Sequence, residues 1–227
     1  MEIRILRQLK GAEEARGTAV IIDVFRAFSV ECYMYAFGAA EVIPVKTVEE
    51  AFAFREKDPS VLLAGERNGF KVEGFDLGNS PAELKTVSLK GKRIIHTTSA
   101  GVQGIAAAAN CSEILTGSLV NAKAIAGYLK KKDPEVVSLV AMGWNAVKDT
   151  EEDLLCAEYI RSLLEDRPLP DIKEQALDLR NTEGAKFFDP ARVEFVEEDF
   201  WMCIETDIYD RVIRVKRTPD GFREELA

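Results

Sequence analysis

The feature that most constrains the fold is an alternation repeated along the chain: short runs rich in Val and Ile, each followed by a stretch with helical spacing. Residues 3–8, 19–24, 41–45, 61–64, 93–97, 113–117 and 136–142 read as strands. Several are apolar at consecutive positions, as expected when helices cover both faces of a sheet. Residues 29–39, 48–57, 81–86, 100–110, 120–131 and 151–165 have helical patterns. This repetition predicts an α/β fold, a three-layer α/β/α arrangement with a largely parallel sheet. Arg167-Pro168-Leu169-Pro170 reads as a turn or short linker. From 171 to 207 the pattern is helical, interrupted near Asp189-Pro190, then 212–216 reads as a closing strand and Pro219-Asp220-Gly221 as a turn. There is no internal repeat, so the 227 residues read as one domain, 1–227, with a helical C-terminal elaboration.

Charge and composition narrow the function. A net charge of −9 disfavours nucleic acid and anionic membranes as partners. It allows a small anionic substrate if the pocket brings its own positive charge, and a divalent cation is one source. The N-terminal segment lacks the apolar core of a signal peptide, and no run of about 18 apolar residues occurs. Cys32, Cys111, Cys156 and Cys203 lie far apart without a CxxC pair, which suggests reduced, mostly buried thiols and a cytoplasmic protein. With His96 as the single histidine, poly-histidine zinc sites are excluded, and a metal held by Asp, Glu and Asn would be magnesium or manganese.

Ligands in open α/β sheets gather at the carboxyl ends of parallel strands, and four segments place polar residues there. Asp23 ends an apolar run, with Arg26 three residues on; the pair can bind a cation and a phosphoryl group, or only fix a turn. Gly65-Glu66-Arg67-Asn68-Gly69, continuing to Gly74-Phe75-Asp76-Leu77-Gly78-Asn79-Ser80-Pro81, reads as a long glycine-rich loop able to approach an anion. Its end also reads as a capping box, with Ser80 as N-cap and Glu83 at N3. Thr97-Thr98-Ser99 precedes a helix, which suits either phosphate binding or simple capping, while His96 reads as a strand histidine satisfied by its neighbours. Asp149-Thr150-Glu151-Glu152-Asp153 begins a helix where a strand ends; capping by Thr150 and Asp153 competes there with metal binding.

Several phosphate-handling designs are absent. There is no GxxxxGK[ST] and no GxGxxG after a strand. Cys156 to Arg161 is one residue short of a Cys-x5-Arg loop, and Phe25 stands where a haloacid-dehalogenase-type phosphatase has its second Asp.

The four segments, in this order, resemble the 2-phosphosulfolactate phosphatase family. The matching stretches are Asp23-Val24-Phe25-Arg26-Ala27, Gly65-Glu66-Arg67, Gly74 through Pro81, Thr97-Thr98, and Glu152-Asp153-Leu154-Leu155-Cys156-Ala157, and the order persists to Asp199 and Asp207. The resemblance implies a three-layer α/β/α fold, dependence on Mg2+, and release of phosphate from 2-phospho-3-sulfolactate, a step of coenzyme M synthesis in methanogens. Two stretches depart from the family's usual Arg-Ala-Thr-Ser and Thr-Thr-Asn-Gly-Thr: Arg26-Ala27-Phe28-Ser29 and the 97–102 loop, where Ser99, Ala100, Gly101 and Val102 follow the threonines.

The resulting expectation is magnesium-dependent hydrolysis of a small anionic phosphomonoester, 2-phosphosulfolactate or a related 2-phosphohydroxy acid. Asp23, Arg26 and Glu66 are the catalytic candidates. Arg67, Asn79, Ser80, Thr97, Thr98 and Ser99 are candidates for holding the phosphate, and Asp23, Glu152 and Asp153 for holding the metal. The altered 97–102 loop also fits a non-catalytic anion- or metabolite-binding protein on the same scaffold.

Overall fold

The computed structural model describes residues 1–167, 169–219 and 221–227; Pro168 and Asp220, within the two expected turns, lie outside the described residues. The fold is α/β with mostly parallel sheets flanked by helices, as the alternation predicts. The strands divide between two sheets. The larger contains β1 (Glu2–Arg7), β2 (Thr18–Ile22), β7 (Glu113–Gly117), β8 (Val136–Ala141), β9 (Ile213–Thr218) and β10 (Gly221–Leu226), in the order β1-β8-β2-β7-β9-β10. Its first four strands are parallel, and β9 and β10 close it as an antiparallel hairpin. The smaller has the order β3-β6-β4-β5, built from β3 (Glu41–Pro44), β4 (Leu62–Arg67), β5 (Phe70–Lys71) and β6 (Arg93–Thr97). Here β3, β6 and β4 are parallel, and β5 turns back on β4.

Side-chain alternation explains why both faces are covered. All five residues of β2 are buried. Val20 and Ile22 pack with Ile125 and Leu129 of α5 (Ala122–Lys132) and with Ala157 and Ile160 of α6 (Glu151–Leu164). Ala19 and Ile21 point the other way, to Ala12 of α1 (Gln8–Glu14) and Ile105 of α4 (Gly101–Ala107). The smaller sheet repeats the plan: Val42 and Ile94 meet Val30 and Met34 of α2 (Ala27–Ala36), while Ile43, Leu63 and Ile95 meet α3 (Val48–Lys57) through Ala51. Arg223 on β10 reaches Glu41 on β3 at 2.7 Å, joining the facing edges of the two sheets.

Several local expectations change. β4 runs on through Glu66 and Arg67 and turns at Asn68-Gly69, both at positive φ (54° and 89°), into β5. That stretch is therefore a hairpin rather than a loop, made by the dipeptide best suited to a tight turn between strands. Residues 8–14 form α1, which starts at the last residue of the expected 3–8 strand and runs through a stretch with no expected element, and 221–226 form the unexpected edge strand β10. The expected helix at 81–86 is a single 3-10 turn, Glu83–Thr86. The 171–207 stretch resolves into α7 (Ile172–Asp178), two 3-10 turns and α8 (Glu197–Ile204). Among the described residues, no helix is long and apolar enough to cross a membrane. All four cysteines are buried and free.

Candidate active site

A cleft of about 440 Å³, counting its open mouth, lies at the carboxyl ends of parallel strands from both sheets. Asp23 follows β2, Glu66 sits near the end of β4, Ser99 follows β6 and Gly143 follows β8, and all four line it. Glu152 and Asp153 enter from the first turn of α6, Arg26 from the residue before α2, and Asn79 from the stretch after β5. Four carboxylates and one guanidinium thus share one opening.

Asp23 sits between two helix starts. Its Oδ1 accepts the Ala27 N–H (3.1 Å), the first residue of α2, and the Gly101 N–H at the start of α4 also faces the carboxylate. Burial nevertheless dominates and raises its pKa to about 6, opposed by these backbone donors and assisted by the negative charge of Glu66. Asp23 therefore sheds its proton just below neutrality.

Asp153 does not cap its helix with Thr150, as the capping reading of this segment expected; Thr150 makes no side-chain cap. Its two oxygens instead accept Val24 N–H and Gly143 N–H, each at 2.8 Å, and so tie the ends of β2 and β8 to α6. Glu152 is different. It is 3 % exposed, and its Oε2 is buried without a hydrogen-bond partner. Burial raises the Glu152 pKa to about 7, against the pull of the Lys186 charge, and raises that of Asp153 well above the usual range, with Glu152 and Asp23 adding repulsion. Lys186 only partly offsets this, so these carboxyls keep protons near neutrality, and a cation that ionised them would find Glu152 Oε2 free.

Glu66 acts as a clamp. Oε1 accepts Ser99 N–H (2.6 Å), and Oε2 accepts Gly69 N–H (2.7 Å) and the Ser99 hydroxyl (3.1 Å), so it pins the Asn68-Gly69 turn to the loop after β6. Arg26 does not pair with Asp23, which removes the reading of these two residues as a surface ion pair. Its guanidinium is buried, donating to Asp199 Oδ2 (2.7 Å) and to the Gly69 carbonyl (3.1 Å), with Phe195 stacked 4.8 Å from its centre. Only two of its five N–H donors are engaged in these bonds, and Arg26 borders the cleft.

Four phosphate-holding candidates lie outside the lining. Arg67 follows Glu66 on the strand and therefore points to the opposite face, donating to Thr97 Oγ1 (2.8 Å) and to the Lys46 carbonyl (3.3 Å). Thr97 is thereby occupied, and Thr98 Oγ1 accepts Val102 N–H (3.2 Å) as a local cap. Ser80 caps the following turn through Glu83 N–H (3.1 Å) and donates to Asp199 Oδ1 (2.7 Å). The reciprocal half of its capping box is missing, because Glu83 Oε2 accepts from Gly78 N–H instead (2.6 Å). Asn79 and Ser99 do line the cleft.

Sequence reading missed the aromatic and cationic wall that Trp144 forms with the C-terminal segment. Phe195 and Trp144 line the cleft. Behind them lies Lys186, from the 3-10 turn Glu183–Phe188, with its ammonium 5.2 Å from the Phe195 ring and 5.1 Å from that of Trp144. Burial lowers its pKa, and Glu152 and Glu183 partly restore it. The run Lys186-Phe187-Phe188 was the available clue: a cation embedded in aromatics, inside a stretch read only as helical.

Fold and cleft together define an α/β protein that gathers buried carboxylates, one buried arginine and loop amides at its strand ends. A family model described as 2-phosphosulpholactate phosphatase matches residues 4–218. Relatives named probable 2-phosphosulfolactate phosphatase include one from Bacillus subtilis, 33% identical and covering 87% of this chain and 86% of its own. One from Carboxydothermus hydrogenoformans is 40% identical over 78% of this chain and 73% of its own, and one from Caldicellulosiruptor saccharolyticus 34% identical over 86% and 87%. The chain belongs to the 2-phosphosulfolactate phosphatase family, a family of phosphoric monoester hydrolases.

Proposed function

We propose that this protein hydrolyses a small anionic phosphomonoester, 2-phosphosulfolactate or a related 2-phosphohydroxy acid, with the help of Mg2+. The observation that carries the reading is the convergence of Asp23, Glu152, Arg26 and Asn79 on one cleft, with Glu152 Oε2 left unpartnered. The donor set fits a hard cation: every candidate ligand is an oxygen. Among the described residues no three such side chains already stand at ligating geometry. Magnesium commonly takes one or two carboxylates and completes its shell with water and substrate phosphate, so the proposal needs no complete protein cage. Asp23 and Glu152 are the residues that would hold it, with Asp153 fixing the loops around them. Such an ion, when bound, neutralises phosphoryl oxygens and lowers the pKa of bound water.

The chain's own groups do the rest. Arg26, held in place by Asp199 and Gly69, offers its remaining N–H groups to the phosphoryl oxygens, a bidentate grip that a flexible cation cannot reproduce. Asp23, ionised above a pH of about 6, is placed either to attack phosphorus or to take the proton of an attacking water. Trp144 and Phe195 exclude solvent along one wall.

Of the residues that depart from the family's usual pattern, Phe28 and Val102 are buried away from the cleft, while Ala100 and Ser99, which keeps a hydroxyl there, line it. This packing favours hydrolysis over the non-catalytic anion-binding reading, which rested on that loop. Phosphate release from a panel including 2-phosphosulfolactate and phospholactate tests the proposal. Stabilisation by magnesium and phosphate without turnover on any member would favour the binding protein instead.

A further inference from the structure

Behind Asn79 runs a line of buried hydrogen bonds that the proposed chemistry does not use. Asn79 Oδ1 lies 3.3 Å from His96 Nε2, and His96 Nδ1 lies 2.9 Å from Glu31 Oε1. His96 on β6 and Glu31 on α2 are both 0 % exposed. Beyond Glu31 stands Glu224 of β10, also buried. Glu31 Oε2 and both Glu224 oxygens have no donor assigned to them, although the two carboxyl groups face each other. The other groups facing this pair are the hydroxyls of Thr116 on β7 and Tyr35 on α2, the Cys32 thiol, and the more distant carboxylate of Asp23. None of these is a cation.

We propose that Glu31 and His96 are positioning residues that hold Asn79 with its amide N–H2 group turned into the cleft, as a donor to the phosphoryl oxygens. This rests on the phosphatase reading above. Two carboxyl groups in contact without a cation must hold at least one proton between them. Burial raises the Glu31 pKa to about 8 and lowers that of His96 to about 4, so both are neutral near neutrality. A protonated Glu31 donates to Nδ1. The single ring proton then sits on Nε2 and is donated to Asn79 Oδ1, which leaves the amide nitrogen facing the opening. That nitrogen has no protein partner among the described residues and is not sealed from solvent. Ionised Glu31 reverses every step. It accepts from Nδ1–H, Nε2 becomes an acceptor, and Asn79 must turn over to donate to it, presenting its carbonyl oxygen to an anion.

The chain's single histidine makes the test direct. In ¹⁵N-histidine-labelled wild-type protein, ring nitrogen shifts should show the Nε2–H tautomer at about pH 7. An Nδ1–H tautomer or an imidazolium there overturns the proposal. The kinetic arm compares KM for 2-phosphosulfolactate at about pH 7 and about pH 9.5, either side of the Glu31 transition. Wild type should rise ~10-fold, Glu31→Gln, which keeps a donor on His96 at every pH, should stay within ~3-fold, and Asn79→Ala should be ~10-fold weaker at both. The same alkaline rise in Glu31→Gln as in wild type overturns the proposal. The tautomer measurement needs no turnover, so a catalytically silent protein would defeat the phosphatase reading while leaving this result readable by itself.

Discussion

The ring of Phe28 fills the space that a side chain at Gly101 would need. A Cβ built on Gly101 would stand 2.8 Å from Phe28 Cζ and 3.1 Å from Asp23 Oδ2. Two of the departures from the family's usual pattern, at 28 and at 101, are therefore one packing event: a large residue on α2 matched by none at the start of α4. Gly101→Ala should cost about 1–3 kcal/mol, the usual penalty for overpacking a filled core. Urea unfolding of Gly101→Ala, Phe28→Ala and the double variant should give a coupling of about 0.5–3 kcal/mol, because shortening Phe28 relieves the clash. Additive effects would show that the two positions do not compete for space.

Arg26 is held by two acceptors, and this sets the outcome of replacing it. Arg26→Lys keeps the charge but loses the fork that reaches Asp199 Oδ2 and the Gly69 carbonyl together. We expect kcat/KM to fall by ~100-fold or more, on the scale of about 3 kcal/mol for a displaced phosphate grip. Asp199→Asn should lower activity while also destabilising the fold, since breaking a buried ion pair typically costs about 3–5 kcal/mol. Normal kinetics in Arg26→Lys would assign Arg26 to structure alone.

The buried acids predict an unusual stability profile for the metal-free protein. Folding raises Asp23 to about 6, Glu152 to about 7 and Glu31 to about 8 from ordinary carboxyl values. The folded state then binds more protons than the unfolded chain, so stability must fall as pH rises through this window. In EDTA, Tm should decline from about pH 5 to about pH 8, and Glu31→Gln should flatten the upper part of the decline. Added magnesium should offset the part due to Asp23 and Glu152. A Tm that climbs steadily over that range would show that these groups are not buried as described.

Legibility in the sequence followed periodicity. Runs such as Val20-Ile21-Ile22 announced strands covered on both faces, and Asp23 and Glu152-Asp153 stood out because each falls where such a strand ends. The Asn68-Gly69 turn was equally readable; it was passed over because glycines at 65, 69, 74 and 78 together suggested a loop. β10 was hidden by its own chemistry, since Glu224 occupies an inward position where strand alternation calls for an apolar residue. Which face a strand end presents depends on register: Glu66 turns into the cleft, and its neighbour Arg67 turns away. Lys186, Phe195 and Asp199 reach the site only through tertiary packing of the C-terminal segment, where the Lys186-Phe187-Phe188 run is the one local clue and does not say which cleft it faces.

The position of Asp23 between two helix starts allows either a covalent or a direct route. Attack by the carboxylate would leave an aspartyl phosphate that survives acid quenching and is cleaved by hydroxylamine. Rapid-quench experiments with labelled substrate should trap such a species in wild type and never in Asp23→Asn. Its absence throughout the pre-steady state would assign Asp23 to proton transfer from water.

The central claim is that the carboxylates of this cleft, completed by magnesium, release phosphate from a small anionic ester. The most direct measurement is inorganic phosphate release from 2-phosphosulfolactate by wild type and Asp23→Asn, after EDTA treatment and after addition of Mg2+ or Mn2+. We expect no turnover in EDTA, recovery with either cation, and at least a ~100-fold loss in Asp23→Asn with its fold intact. Full turnover in the metal-free enzyme, or near-normal turnover in a folded Asp23→Asn, would contradict the account.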